Sequence, residues 1–251
     1  MSYCLLFLQK ICLLLAFTTG NPSHPAASSP IAKKTMKVLV FAKTNGYHHE
    51  SIADGIVAIM KLGAENHFSV DSTTDSLKIS DSNLQQYKVI VFLSTTGKVL
   101  GPDQETALQH FMARGGGYVG IHAAADCEYN WPWYGKLVGG YFKSHPKQQE
   151  AKLIVVDNAH PSTKDLPNPW VRFDEWYNYK DLNPDVHVLI KIDESSYTGG
   201  ANGDNHPMTW YHDYEGGRAF YTEMGHTKES FVDPVYLKHI LGGITWAMGK
   251  K

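Results

Sequence analysis

The stretch that decides the fold is GGGYVGIHAAAD, residues 115–126. A glycine run leads into a short apolar segment, which stops at His122 and is followed by small residues. In open α/β sheets, ligands bind beyond the carboxyl ends of the strands, and a sharp strand-to-helix turn there lifts one side chain to the edge of the sheet. The lifted group is an imidazole, which favours proton transfer, metal binding or substrate polarisation over formation of an acyl-enzyme.

Apolar runs and helical patterns alternate along the first half of the chain. Residues 37–42 and 88–93 are nearly continuous apolar runs, which are typical of buried parallel strands. Because the connecting loops are short, the alternation predicts an α/β fold with a doubly wound, mostly parallel sheet. The other predicted strands are 68–71, 118–122, 153–157, 186–192 and 219–222, with 174–179 extended; the predicted helices are 51–62, 103–114 and 236–248.

Composition is that of a globular protein with a separate N-terminal segment. The chain has 251 residues, 43% of them hydrophobic, and a formal net charge of −2, so it can bury one core and offers no electrostatic case for nucleic-acid binding. Residues 1–20 hold a short apolar segment broken by Lys10, and we expect an export signal that is the only association with a membrane. Residues 21–35 read as a linker and 36–251 as one domain, so we expect a periplasmic or secreted protein.

Histidines and carboxyl groups stand where the predicted strands end. His122 is the first catalytic candidate, and Asp126, four residues on, is placed to face it and set its tautomer. In the stretch DEWY, residues 174–177, aromatic neighbours would desolvate a carboxyl group and raise its pKa, so we select Glu175 as a proton donor. His226 closes a late strand, and we expect it to face His122 across one pocket. The structural alternatives are a core histidine or a helix cap.

Aromatic and polar loop residues are the candidates for substrate binding. One of the adjacent histidines 48 and 49 is expected to be functional, and residues 129–134 hold more aromatic rings than an ordinary loop needs. Aromatic rings stack on sugars, although packing of a long loop is an equal alternative. The selected substrate-binding residues are Tyr47, His48, Trp133, His206 and Trp210.

The sequence carries none of the common metal-binding patterns. It has no HExxH, HxH or CxxC, so a metal-free polar pocket is the first expectation and no cofactor is expected. The alternative is a divalent metal, held by His122, Glu175, His206 and His226 if the fold brings them together.

Residues 37–249 resemble the trehalose-utilisation (ThuA-like) family of the class I glutamine amidotransferase-like superfamily. The resemblance is carried by residues 44–48, 120–124, 131–134, 139, 145–146, 174–177, 206–207 with 210, and 217–227. It implies a flavodoxin-like, three-layer fold with a pocket at the strand ends. Amidotransferases of this fold carry a cysteine at the turn where His122 stands, and His226 falls near their late histidine. Cysteine-dependent amidotransferase activity is therefore not expected.

The resemblance also implies a link to disaccharide catabolism. We expect an exported carbohydrate-active enzyme, of hydrolase, lyase or isomerase type, that acts on an oxidised (3-keto) sugar or glycoside by acid–base chemistry. Its expected catalytic residues are His122, Asp126, Glu175 and His226. The alternatives are a non-catalytic carbohydrate-binding module and a metal-dependent hydrolase.

Overall fold

The computed structural model describes residues 35–249, together with Met1. The export signal and the linker predicted for residues 1–35 lie outside the described residues, apart from Met1 and Thr35, and both stay predictions. From Thr35 onward the chain forms one compact unit. No helix in the described part of the chain combines the length and the apolar character that crossing a membrane requires.

The described residues form two sheets and five α-helices. The strands of the main sheet are β1 (Met36–Phe41), β2 (Phe68–Thr73), β3 (Val89–Leu93), β4 (Gly117–Ile121), β6 (Gln149–Val155), β7 (Trp170–Asp174), β9 (His187–Ile192), β10 (Pro207–Tyr214) and β11 (Gly217–Thr222); the small sheet pairs β5 (Tyr141–Ser144) with β8 (Asn178–Lys180). The helices are α1 (Ile52–Glu65), α2 (Asp81–Leu84), α3 (Pro102–Ala113), α4 (Pro132–Val138) and α5 (Pro234–Ala247).

The main sheet has a parallel half and an antiparallel half, in the order β2-β1-β3-β4-β11-β10-β9-β6-β7. The first five strands are parallel neighbours. The remaining neighbours are antiparallel, so among the described strands of the main sheet only β10 and β6 run opposite to the others. Every residue of β3 and β4 is buried, as expected for central strands covered by helices. The predicted α/β fold, with a mostly parallel sheet in three layers, is confirmed.

The antiparallel half curls back toward the parallel half. Although β7 is four strands away from β11 in the sheet, the buried carboxylate of Asp174 at its end accepts hydrogen bonds from the backbone N–H groups of Gly225 and His226, both at 3.1 Å. The carboxyl end of β7 therefore lies beside the carboxyl end of β11.

The strand that was predicted to end at His122 ends one residue earlier. β4 stops at Ile121, and residues His122–Ala125 form a 3₁₀ turn in which all four side chains are buried. His122 has a φ of +51°, a left-handed conformation that costs a residue with a Cβ roughly 1–2 kcal/mol. The three alanines that follow it are fully buried.

Candidate functional site

Four strands that run in the same direction deliver side chains to one edge of the main sheet. β4 is followed at once by His122 and β7 by Glu175, and the loops after β1 and β11 carry His49 and His226. One nitrogen or oxygen atom from each of the four residues lies within 4.8 Å of the others. We call these four residues the histidine–glutamate cluster.

The members of the cluster are in direct contact. Nε2 of His122 lies 3.1 Å from Nε2 of His49 and 3.2 Å from Nδ1 of His226, and 3.5 Å from Oε2 of Glu175. The His122 side chain is fully buried. His122 and His226 thus meet, as expected, but they touch instead of facing each other across a pocket, so no sugar fits between their rings.

The second nitrogen of His122 fixes the direction of its lone pair. Nδ1 donates a hydrogen bond to the carbonyl oxygen of Glu223 at 2.8 Å, and the hydroxyl of Tyr221 donates to the carbonyl oxygen of His122 itself at 2.8 Å. Because Nδ1 carries the proton, Nε2 presents its lone pair to the cluster.

Asp126 does not set this tautomer, although its spacing suggested that it would. Its carboxylate accepts a hydrogen bond from the hydroxyl of Tyr129 at 2.5 Å, and burial raises its pKa. The turn after His122 is a single 3₁₀ turn and not the α-helical turn that would bring residues i and i+4 together. The structure thus assigns the tautomer to the Glu223 carbonyl group.

Glu175 joins the cluster to a fourth imidazole. Oε2 of Glu175 lies 3.1 Å from Nδ1 of His226, and Oε1 lies 3.1 Å from Nδ1 of His145. Burial alone would raise the pKa of Glu175, but the contacts with the imidazoles of His122 and His226 outweigh it and hold the pKa well below its ordinary value. The carboxyl group is therefore ionised, whereas its aromatic neighbours predicted a raised pKa and a proton donor.

His226 is positioned through both its backbone and its ring. The carboxylate of Asp174 accepts its backbone N–H, and its Nε2 lies 2.7 Å from the side-chain amide of Gln148. Burial lowers the pKa of His226, but the hydrogen bond to Glu175 more than compensates and the pKa lies above its ordinary value. His226 and Glu175 therefore form a charged pair.

His49, and not its selected neighbour His48, belongs to the cluster. Its side chain is buried, whereas that of His48 is exposed and lies 3.2 Å from the Thr44 hydroxyl. Burial is the largest cause that lowers the pKa of His49 to about 2, and the neighbouring imidazoles of His122 and His226 lower it further, so this imidazole is neutral. Its Nδ1 is buried and has no hydrogen-bond partner among the described residues.

Tyr177 covers the cluster from the antiparallel side of the sheet. Its hydroxyl lies 3.2 Å from Nε2 of His122, and its side chain is buried. His206 stands behind it, since Nε2 of His206 donates to the Tyr177 carbonyl oxygen at 2.7 Å while Nδ1 meets the Glu194 carboxylate at 2.7 Å. His206, a selected substrate-binding residue, is thus fully buried and supports Tyr177 without entering the cluster.

The three selected aromatic residues lie in different places. Tyr47 is 63% exposed and packs edge-on against His49, with 4.8 Å between ring centroids, so it lines the mouth of the site. Trp210 is fully buried and donates its indole N–H to a backbone carbonyl oxygen, which leaves it no surface for a ligand. Trp133 packs on Tyr214 at the opposite edge of the sheet.

Sequence reasoning missed His145, Gln148 and Tyr177. A signal for Tyr177 was available in the sequence. In an extended chain residues i and i+2 lie on one face, so Tyr177 was expected to share the face of the selected residue Glu175. His145 and Gln148 follow β5, whose four residues show no apolar run, and no local pattern places their loop beside the cluster.

Comparison with known proteins identifies the family. The sequence model of the family described as trehalose utilisation (ThuA) matches residues 37–247. The chain belongs to this family. The ThuA family is glutamine amidotransferase-like, and the position of His122 at the turn after β4 agrees with that relationship. No curated protein sequence matches the chain.

Solved structures of ThuA-like proteins share this fold. A putative ThuA-like protein from Bacteroides uniformis ATCC 8492 is 28% identical with a TM-score of 0.72, over 91% of this chain and 95% of that chain. A putative ThuA-like protein from Parabacteroides merdae ATCC 43184 is 21% identical with a TM-score of 0.72, over 86% and 91%. A β-galactosidase from Bacillus circulans sp. alkalophilus is 13% identical with a TM-score of 0.56, over 86% of this chain and 31% of that chain. The last two likenesses show the fold alone.

Proposed function

We propose that this ThuA-family protein is an enzyme that moves a proton beside the carbonyl group of an oxidised sugar or glycoside. The observation that carries the proposal is the histidine–glutamate cluster at the carboxyl ends of the strands, where open α/β sheets bind their ligands. Membership of the trehalose-utilisation family supports the substrate class. The protein's export, which the pattern of residues 1–20 predicts, belongs to the same proposal.

His145 is the group that we assign to proton transfer. Its side chain is 42% exposed, while the side chains of Glu175 and His122 are 8% and 0% exposed, so it can reach a substrate that His122 cannot. Nδ1 of His145 lies 2.9 Å from the Pro146 carbonyl oxygen and 3.1 Å from the Glu175 carboxylate. Both groups accept hydrogen bonds, so the proton is on Nδ1 and Nε2 is free to accept a proton from a substrate. A carboxylate that orients an imidazole in this way is a common arrangement in acid–base catalysis.

The proposed step needs a ketone next to the carbon that loses its proton. In a 3-keto glycoside, His145 takes the proton from C2, and the electrons of the C–H bond move into the ketone to form an enolate. The enolate then either expels the oxygen substituent at C1 with its bonding electrons, or is reprotonated on carbon. The positive charge of His226 stabilises the developing oxyanion. Elimination and isomerisation thus begin with the same proton transfer.

Deuterium exchange tests this step whichever product the enolate goes on to form. The purified protein is incubated in D₂O with 3-keto disaccharides, and loss of the C2 proton is followed by NMR. We expect exchange or turnover with the wild-type protein, a loss of at least about 100-fold in His145→Ala, in line with the usual contribution of a general base, and no loss in His110→Gln, an exposed histidine on α3. A folded wild-type protein that neither exchanges nor converts any of these sugars would contradict the proposal.

A non-catalytic carbohydrate-binding module is the second candidate. The exposed ring of Tyr47 beside the cluster favours it, because such rings stack on sugars. This candidate predicts sugar binding that is kept in His145→Ala and lost in Tyr47→Ala, with no exchange in either. Isothermal titration with the same sugars separates the two functions.

A further inference from the structure

We propose that the histidine–glutamate cluster binds one divalent cation of a first-row transition metal. The ion would bind at the same site as the substrate of the proposed function. Only the ion's role in the reaction rests on that proposed function; the binding of the ion does not. It is carried by the spacing of the four donor atoms, the direction of their lone pairs and their chemical nature.

The spacing of the donor atoms fits a metal ion. With metal–nitrogen bonds of about 2.05 Å, neighbouring ligands stand about 3.3 Å apart in a tetrahedron and about 2.9 Å apart in an octahedron, where opposite ligands are about 4.1 Å apart. Nε2 of His122 lies 3.1, 3.2 and 3.5 Å from its three cluster partners, and the whole set lies within 4.8 Å. The separations from Nε2 of His122 bracket the tetrahedral value, whereas the spread of up to 4.8 Å is wider than the 4.1 Å between opposite octahedral ligands, so the side chains would close in slightly around an ion.

The lone pairs converge on the centre of the cluster. Nδ1 of His122 donates to the Glu223 carbonyl oxygen, so its lone pair is on Nε2. Nε2 of His226 lies 2.7 Å from Nε2 of Gln148. Turning this amide by 180° places its oxygen there as the acceptor, and the lone pair of a neutral His226 is then on Nδ1, which faces His122. Two such lone pairs repel each other at 3.2 Å unless a positive charge lies between them. Metal-bound histidines typically donate their other N–H to a backbone carbonyl oxygen or a polar group in this way.

A shared proton satisfies this cluster less well than a cation does. Nε2 of His122 faces four groups at once, namely His49, His226, Glu175 and the Tyr177 hydroxyl. One proton lies between two atoms, whereas one cation accepts every lone pair in reach. Three imidazole nitrogens and one carboxylate oxygen are donors that suit zinc, iron, cobalt and nickel better than calcium or magnesium.

The ion would supply a Lewis acid beside the proposed base. A cation in the cluster polarises a carbonyl oxygen and stabilises the enolate, and Glu175 would bind it through Oε2 while Oε1 keeps its contact with His145. The buried His122 then acts on the substrate only through the ion, which resolves how a side chain without exposed surface contributes to the site.

Metal binding is measured directly on the purified protein. After treatment with a chelator and dialysis, the protein is titrated separately with Zn²⁺, Co²⁺, Mn²⁺, Fe²⁺ and Ni²⁺, and bound metal is determined by elemental analysis and calorimetry. We expect one equivalent in the wild-type protein and in His110→Gln. We expect affinity to fall by more than about 100-fold in His49→Ala and His226→Ala, because even the outer partners of metal ligands are worth about 10–100-fold. Binding of none of the five ions, or equal binding by the two ligand variants, overturns the proposal.

Two further readouts keep the test independent of variant folding and of the proposed reaction. X-ray absorption of the wild-type protein loaded with zinc is expected to show several imidazole ligands at about 2.0–2.1 Å, and a spectrum without imidazole overturns the site. His145→Ala should still bind one equivalent of metal, with an affinity lowered by no more than about 10–100-fold because His145 contacts the ligand Glu175, while it loses exchange activity. Metal binding without any sugar turnover removes the proposed function and leaves the cation site. Turnover by a protein that binds none of the five ions removes the cation site and leaves the function.

Discussion

Replacement of Asp174 by asparagine tests how the antiparallel half of the sheet holds the site together. Asp174 is fully buried, and its Oδ2 accepts hydrogen bonds from Gly225, Ser230 and Arg172, while Oδ1 accepts the backbone N–H of His226. Asp174→Asn turns one of these oxygens into an NH₂ group that faces donors. It also removes one of the two carboxylates that contact Arg172, whose side chain is only 7% exposed.

The expected loss of stability is about 3 kcal/mol. Removal of one partner from a buried ion pair costs about 3–5 kcal/mol of unfolding free energy. We expect a value at the low end of this range because Arg172 keeps its contact with Asp233, which is 34% exposed. With a urea m-value of about 1–3 kcal/mol/M, the unfolding midpoint should fall by about 1 M or more. Asp81→Asn, which removes an exposed carboxylate beside His110, should change it by less than about 0.5 kcal/mol. A loss below about 1 kcal/mol in Asp174→Asn would refute the argument.

Three further predictions concern the pH response, the packing and the cluster. The pKa of His49 falls from 6.5 to about 2 on folding. Below about pH 6.5 only the unfolded chain therefore binds this proton, and the free energy of unfolding decreases. Between pH 7 and pH 5, urea unfolding should show that the wild-type protein loses about 2 kcal/mol more of this free energy than His49→Gln does. Gly139→Ala places a Cβ 2.1 Å from the indole nitrogen of Trp210 at a φ of +93°, and thermal unfolding should show a loss of at least about 2 kcal/mol. Tyr177→Phe keeps the ring and removes the hydroxyl beside His122; exchange activity should fall while the urea midpoint changes little, and unchanged activity would show that the hydroxyl has no part in the reaction.

The parallel half of the fold was predictable because its strands are apolar on both faces. β3 (VIVFL) and β4 (GYVGI) are buried throughout, and such runs are recognisable without the rest of the chain. The antiparallel strand β10 was missed because its sequence, PMTWYHDY, has no continuous apolar run. Its polar side chains form hydrogen bonds with residues that are distant in the sequence. The hydroxyl of Thr209 is hydrogen-bonded to that of Thr222, and Nε2 of His212 donates to the Lys136 carbonyl oxygen.

The site was predictable where a local pattern marked the residue. His122 follows β4 directly, so the strand boundary itself indicated it, whereas Glu175 was selected for its aromatic neighbours in the stretch DEWY. His49 is eight residues beyond β1, and nothing local distinguishes it from His48, because burial of one ring of the pair depends on the loop after β11. The pKa of Glu175 was predicted in the wrong direction for a related reason, since the imidazoles that lower it come from strands distant in the sequence.

The turn after β4 explains why the chemistry of this protein must differ from that of an enzyme with a nucleophile at this position. Such a turn normally presents an attacking atom to the substrate, and the left-handed φ of the lifted residue is strain retained for that purpose. Here the lifted residue is His122, whose side chain is 0% exposed beneath His49, Tyr177 and His226. An atom covered on all these sides cannot attack a substrate. The strained turn therefore aims a lone pair into the cluster, and contact with the substrate passes to the groups around the cluster that retain exposed surface.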